Sequence, residues 1–298
     1  MKNELRACGL LLLTAAIWGF AMATQRAGAQ YLSPFTFNAC RFTLGSLVML
    51  PLMIRENKKT ASPLKKREII PGLLLAAVLF LASLLQQTGL GGAGAGKAGF
   101  LTALYVVLVP VLGVFVKKKT GLFTWLSLLI ALPALYLLCV PAGEAFSLNG
   151  ADTLLLAGAV FWALHILLTD HFVLSVAPIK LCMVQFAVGA AGNWICALLL
   201  EPVTWDGLFH ALGPVLYCGI LSTGVGYLLQ TVGQKGCRPA LAALILSLES
   251  VFCVIAGALL LGERMDARGY LGCGLMLLAV VTAQAGAFLP ARKEIYHV

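Results

Sequence analysis

Glu249 stands inside the apolar run Leu241–Leu261, where an ionised carboxylate is expensive unless it is paired with a cation or hydrated in a cavity. A carboxyl group there can hold a substrate ammonium, carry a proton, or brace its helix through a hydrogen bond. The cationic partners available from sequence are a substrate ammonium, His165 and Arg41. Arg41 lies shallow enough in its apolar segment to snorkel outward, and a lone histidine such as His165 can equally be a bonded structural residue. Trp162, His165, Ile166 and Thr169 follow i, i+3, i+4, i+7 spacing and so share one helix face. Trp18 and Met22 form the corresponding stripe near the N-terminus. Aromatic walls of this kind bind apolar rings and ammonium groups, or simply pack helices together. Gln86, Gln87 and Gln230 bring amides that both donate and accept; this suits a zwitterionic or heterocyclic ligand, and also interhelical bonding. Tyr105, Tyr227 and Ser247 complete the polar set within apolar segments. Asp170 and His171 are expected in water at a span end.

This chemistry is binding rather than catalysis. No HExxH, no GxSxG and no paired acidic metal site occurs, so neither an enzyme nor a bound metal or cofactor is expected. The nine cysteines include no CxxC pair and read as small apolar packing residues. Gly91–Ala98 has the pattern G-x-x-x-x-G-K-A, and Gly94–Gly99 fits G-x-G-x-x-G. The first lacks the hydroxyl that would hold magnesium, and neither follows a strand that opens into a helix. They read as a flexible turn that lets two helices approach closely.

The elements that position these residues must be membrane helices. The chain is 60% hydrophobic and 11% charged, with a mean hydropathy of +0.95, against about 25% charged residues in ordinary soluble domains. Its apolar runs approach or exceed the roughly 20 residues that cross a bilayer as a helix, and they lack the alternation of a barrel wall. Ten spans are expected, at 5–26, 36–54, 70–90, 98–116, 122–140, 151–170, 178–200, 208–230, 239–261 and 269–289. The first segment is read as a retained span rather than a cleaved signal peptide.

The chain also repeats itself. Trp18 and Trp162 lie 144 residues apart, as do Pro34 and Pro178, Phe42 and Phe186, and Gly45 and Gly189. Lys97–Phe115 lines up with Cys237–Ile255 at an offset of 140. Of the 21 Lys and Arg residues, sixteen fall on the side that holds the N-terminus and four (Arg26, Lys97, Arg264, Arg268) on the other, with Arg41 within a span. By the positive-inside rule both termini are cytoplasmic, and the net charge of +9 needs no nucleic acid to explain it. An odd number of spans per half turns the second half upside down relative to the first. The expected fold is therefore an all-α membrane protein with about ten transmembrane helices, arranged as two inverted five-helix repeats around a central cavity. The repeats run over residues 1–140 and 151–289, with a cytoplasmic tail at 290–298. This plan points to a secondary transporter in the cell (inner or plasma) membrane, with its substrate between the halves. A channel-like or lipid- or drug-translocating protein of the same fold is the alternative. The expected partners are a small-molecule substrate, the lipid bilayer and protons as a coupling ion.

The repeat, the segment Ala15–Gly28 (AAIWGFAMATQRAG) and the segment Ala242–Val281 resemble the drug/metabolite transporter superfamily, specifically its EamA-type members. The most specific piece is Leu246–Leu261 followed by Gly262-Glu263-Arg264, which is similar to that family's "LEP…LLGE" signature. Ser250 stands where the family usually has proline, which puts the local helix bend in question; Pro110 occupies the matching place in the first half. The resemblance implies a cavity lined by helices 1, 3, 4, 6, 8 and 9, with helices 5 and 10 outside. It also implies carriage of small metabolites such as amino acids or related amines, often as export.

Overall fold

In hydrocarbon a chain must satisfy its own N–H and C=O groups, and over these lengths only a helix does so. The computed structural model describes residues 2–60, 64–93, 95–116, 118, 120–140, 143, 148–261 and 266–288, and among them there are helices and no strand. The first half holds α1 (Lys2–Gly28), α2 (Pro34–Thr60), α3 (Lys66–Gly92), α4 (Ala95–Ala103), α5 (Tyr105–Phe115) and α6 (Leu122–Cys139). The second holds α7 (Gly150–Phe172), α8 (Pro178–Leu200), α9 (Trp205–His210), α10 (Leu212–Leu216), a π-helix (Tyr217–Gly226), α11 (Tyr227–Gln234), α12 (Pro239–Leu246), α13 (Glu249–Leu261) and α14 (Ala267–Phe288). Eight helical stretches are long and apolar enough to cross a membrane, and Leu122–Leu137 and Ala267–Ala283 are shorter apolar helices. The protein is an all-α membrane protein of about ten helices. Gly262-Glu263-Arg264, Gly94 and the tail 290–298 lie outside the described residues.

Burial is inverted relative to a water-soluble protein. Leu199 and Trp205 are 76% and 88% exposed, whereas Asn38, Arg41, Gln87, Gln185 and Asn193 are buried. The solvent for the outside is lipid, so polar groups turn inward to find one another.

The most extensive interfaces all join one half to the other: α6 with α14, α2 with α8, α3 with α7 and α8, α1 with α13, the π-helix with α2, and α11 with α1. Exchanging the halves maps this set largely onto itself. The pair α6 and α14 packs to one side and contributes nothing to the central cavity described below. Small residues permit the closest approaches. A Cβ on Gly45 would sit 2.5 Å from the Thr223 side chain, and one on Gly89 would sit 2.6 Å from Leu155. The glycine tract is less a turn than expected: α3 continues to Gly92 and the chain is helical again from Ala95, and Gly89 and Gly92 pack on Leu155 and Ala151 of α7 rather than on the span that follows.

Three spans are irregular at mid-depth. The fourth is interrupted at Leu104, the eighth winds into the π-helix, and the ninth breaks at Ser247–Leu248. The break in the ninth therefore exists with Ser250 in place of a proline. Serine hydroxyls bond to carbonyls there: Ser247 Oγ donates to Leu244 O at 2.7 Å, and Ser250 Oγ donates at 2.7 Å to Ser247 O, which also accepts from Ser250 N at 3.2 Å. Broken backbone inside a bilayer persists where it lines a cavity or is buried in protein, and π-turns concentrate at functional sites.

Polar ties hold the two ends. At one end Lys180 Nζ meets both Glu68 carboxylate oxygens at 3.0 Å, and Lys118 Nζ meets Asp170 Oδ2 at 2.6 Å. Asp170, expected in water, is thus buried and paired. At the other end the Glu201 carboxylate accepts from Phe35 N at 2.9 Å and from Thr36 N at 2.8 Å, capping the N-terminus of α2, where an anion is favoured.

Candidate functional site

The polar residues of the interrupted spans converge. A central cavity of about 40 Å³ is lined by Trp18, Met22 and Gln25 of α1, Arg41 of α2, Gln86 of α3, Thr102 and Tyr105 at the break of the fourth span, and Trp162 and Ile166 of α7. Ser222, Tyr227 and Gln230 of the eighth span and Glu249 of the ninth complete it. Such a volume holds no more than a few water molecules, so the centre of the bundle is closed around its polar groups. At the Lys118–Asp170 end a vestibule of about 590 Å³ opens to the surface between Glu4, Lys235 and Arg238. At the opposite end a recess of about 370 Å³ lies between residues 29–34 and Gln87, Thr88 and Gly91. Vestibule and cavity are one helical turn apart: Val109 lies four residues beyond Tyr105, and Gln234 four beyond Gln230. Between them Gln234 Nε2 donates to Ile166 O at 2.9 Å.

The aromatic walls are built around Tyr227. Its ring centroid is 4.9 Å from that of Trp18 and 6.3 Å from that of Trp162, with Phe186 edge-on at 5.7 Å. Trp18 Nε1 donates to the Ser222 carbonyl at 3.2 Å, an acceptor in the π-helix, and Gly226 leaves room for the indole. Glu249 begins α13 immediately after the break, which places its carboxyl group at a helix N-terminus, where negative charge is favoured. Tyr105 Oη donates to Glu249 Oε1 at 3.4 Å. Several hydrogen-bonding atoms around the cavity have no partner among the described residues: Arg41 Nε and Nη2, Thr102 Oγ1, Trp162 Nε1 and Gln230 Oε1. Each buried group left unmade costs about 1–3 kcal/mol, which is a reason to hold them only where an occupant will use them.

Of the residues singled out from sequence, the cavity gathers Trp18, Met22, Gln86, Tyr105, Trp162, Tyr227, Gln230 and Glu249. Four others lie outside its lining. His165 turns toward α8, where Nε2 is 2.9 Å from Gln185 Oε1. Gln87 Nε2 donates to Gln25 O at 3.2 Å, and Ser247 Oγ is taken up by its own helix. Thr169 is buried, its hydroxyl unpartnered among the described residues. The shared-face argument for α7 therefore divides: Trp162 and Ile166 face the cavity, and His165 faces a neighbouring helix. Arg41 departs from the snorkelling expectation. It is 2% exposed, its guanidinium carbon sits 4.9 Å from the Phe42 ring centroid, and Nη1 donates to Gln25 Oε1 at 3.1 Å. Gln25, Thr102 and Ser222 join the cavity from outside the set that the sequence singles out. Gln25 continues the Trp18–Met22 stripe by a further three residues, a signal present in the spacing.

A polar cavity at the centre of a membrane helix bundle, with wider spaces at both ends, is an arrangement suited to passing solutes through a bilayer. The chain belongs to the EamA-like transporter family, which it matches over residues 5–140 and again over 149–283. It is 30% identical to an "uncharacterized transporter" of Archaeoglobus fulgidus, over 91% of this chain and 83% of that one. It is 27% identical to the threonine/homoserine exporter RhtA of Escherichia coli, over 86% of this chain and 82% of that one. A crystal structure with 18% identity superposes with a TM-score of 0.76, covering 94% of this chain and 97% of the other, which bears on the fold alone.

Proposed function

We propose that this protein is a secondary exporter of amino acids or related amines, working by alternating access with the substrate in the central cavity. The observation that carries this reading is the placement of Glu249 and the Trp18–Tyr227–Trp162 wall in one closed space between the two family-matched halves. The likeness to a threonine/homoserine exporter supports the substrate class. The interhalf contact pattern, which survives exchange of the halves, supports two inverted repeats that rock about the cavity. Both termini lie in the cytoplasm, so the basic vestibule faces inward and supplies substrate to the cavity.

In this mechanism a substrate ammonium binds the Glu249 carboxylate beside the Tyr105 hydroxyl, and the aromatic rings cover its apolar part. A second ammonium cannot share the carboxylate, but a proton can replace it. After release outside, a proton takes the place of the substrate ammonium on Glu249 for the return; deprotonation inside readies it for the next substrate. One proton enters for each substrate exported, so the cycle draws on the proton gradient.

Counterflow in proteoliposomes tests the carrier reading. Liposomes loaded with unlabelled threonine should transiently accumulate labelled threonine above equilibrium. A channel shows equilibration without trans-stimulation, and that result would refute alternating access.

A further inference from the structure

We infer that Arg41 is a carboxylate-binding residue, so that the ligand of the central cavity is a zwitterion held between Arg41 and Glu249. The inference rests on the proposed reading of that cavity as the substrate site and narrows its ligand class.

The guanidinium is buried in the middle of a membrane protein, and no ion pair joins it to any acid among the described residues; the buried or half-buried carboxylates Glu68 and Asp170 pair with other cations. One corner of the fork is already used, because Nη1 donates to Gln25 Oε1 at 3.1 Å. Nε and Nη2, which have no partner among the described residues, are the two donors on one edge of the planar group. That edge presents two parallel N–H vectors, the geometry that receives a carboxylate in a bidentate pair. The plane is fixed from behind: Phe42 lies under the guanidinium carbon at 4.9 Å and is itself stacked on Phe186 at 6.3 Å.

Arg41 and Glu249 line the same cavity, and among the described residues no ion pair joins them. Tyr227, which also lines it, is packed between Trp18 and Trp162. A cavity walled by one unspent guanidinium edge and one carboxylate is complementary to a molecule that carries a carboxylate and an ammonium at once. A simple amine leaves Arg41 buried and unpaired, and a simple acid leaves Glu249 so. A site that strands a buried charged group when a partner is missing discriminates strongly against the incomplete ligand.

The experiment is counterflow in proteoliposomes with the protein amino acids, each accompanied by the amine left on removing its carboxyl group and the acid left on removing its amino group. For the amino acids exchanged, the wild type should favour the zwitterion over both analogues by about 10-fold or more, the loss expected for one charge-assisted hydrogen-bonded contact. Arg41→Gln should abolish the preference over the amine and keep the preference over the acid; Glu249→Gln should do the reverse. Arg41→Lys, which keeps the charge and loses the fork, should fall between. A merely structural arginine would lower all exchange without moving these ratios. Should Arg41→Gln fail to yield a monodisperse protein, the wild-type preference for each amino acid over its methyl ester decides the matter. Exchange of amines or esters as readily as amino acids overturns the inference and leaves the exporter reading standing. Absence of exchange across the whole panel removes that reading and the inference with it.

Discussion

Gly226→Ala puts one methyl group where the cavity wall has no space. An ideal Cβ at Gly226 lies 2.7 Å from Trp18 Nε1 and 3.3 Å from Cδ1. The indole must give by about 0.7 Å to restore ordinary contact, and it is not free to do so. Its other neighbour, Tyr227, stands at 4.9 Å between ring centroids, and the Nε1–Ser222 O bond of 3.2 Å fixes its tilt. Overpacking of this kind costs about 1–3 kcal/mol, and losing the indole hydrogen bond costs about 1 kcal/mol more. Alanine's better helix propensity returns about 1 kcal/mol, which leaves the variant about 1–3 kcal/mol less stable as the wall moves. If the strain is expressed in the bound state, substrate affinity falls roughly 5- to 100-fold. The assay is substrate-dependent thermal stabilisation of the purified protein together with the half-saturation concentration in counterflow. Gly9→Ala, with nothing within 4 Å of its added Cβ, is the control. Wild-type affinity in Gly226→Ala would refute the argument that Trp18 is locked against the π-helix at the substrate's edge.

Three further outcomes are expected. Trp18→Ala and Trp162→Ala should each weaken binding while leaving membrane insertion intact; normal transport by both would make them packing residues only. Glu249→Gln should flatten the pH dependence of exchange: in the wild type, lowering the pH equally on both sides lets protons compete with the substrate ammonium and slows exchange, and an identical profile in the variant would defeat proton coupling at this residue. In a cysteine-free background, Lys58→Cys should resist an impermeant thiol reagent added to intact cells and Trp205→Cys should react with it; labelling of Lys58→Cys from outside would reverse the orientation.

The spans were legible because hydrocarbon imposes one requirement on every residue in turn, and a run such as Leu241–Leu261 satisfies it regardless of its neighbours. The cavity was legible where spacing and cost coincide, as at Trp18 and Met22 and at Glu249. It was less so where a polar side chain had a choice of neighbours. His165 shares the face of Trp162 in sequence, but Gln185 on the adjacent helix claims its imidazole, and helix pairing is not written in a single helix's periodicity. By its distance to a span end, Arg41 lies shallow in its segment. What decides its direction is Gln25 across the interface and Phe42 beneath it, both tertiary facts. The break at Ser247–Leu248 carries no proline signal at Ser250; the Ser247 and Ser250 hydroxyls donate to carbonyls beside it.

The claim that substrate sits in the central cavity is met most directly by protection at Met22, a lining residue that is 5% exposed. In a cysteine-free, exchange-active background, Met22→Cys is treated with a small membrane-permeant thiol reagent, with and without saturating substrate, beside Leu198→Cys, whose parent residue is 71% exposed on the lipid face. Substrate should slow labelling at position 22 and not at 198, and completed modification at 22 should abolish exchange. Equal labelling rates with and without substrate, or full exchange by the modified protein, would place the substrate elsewhere.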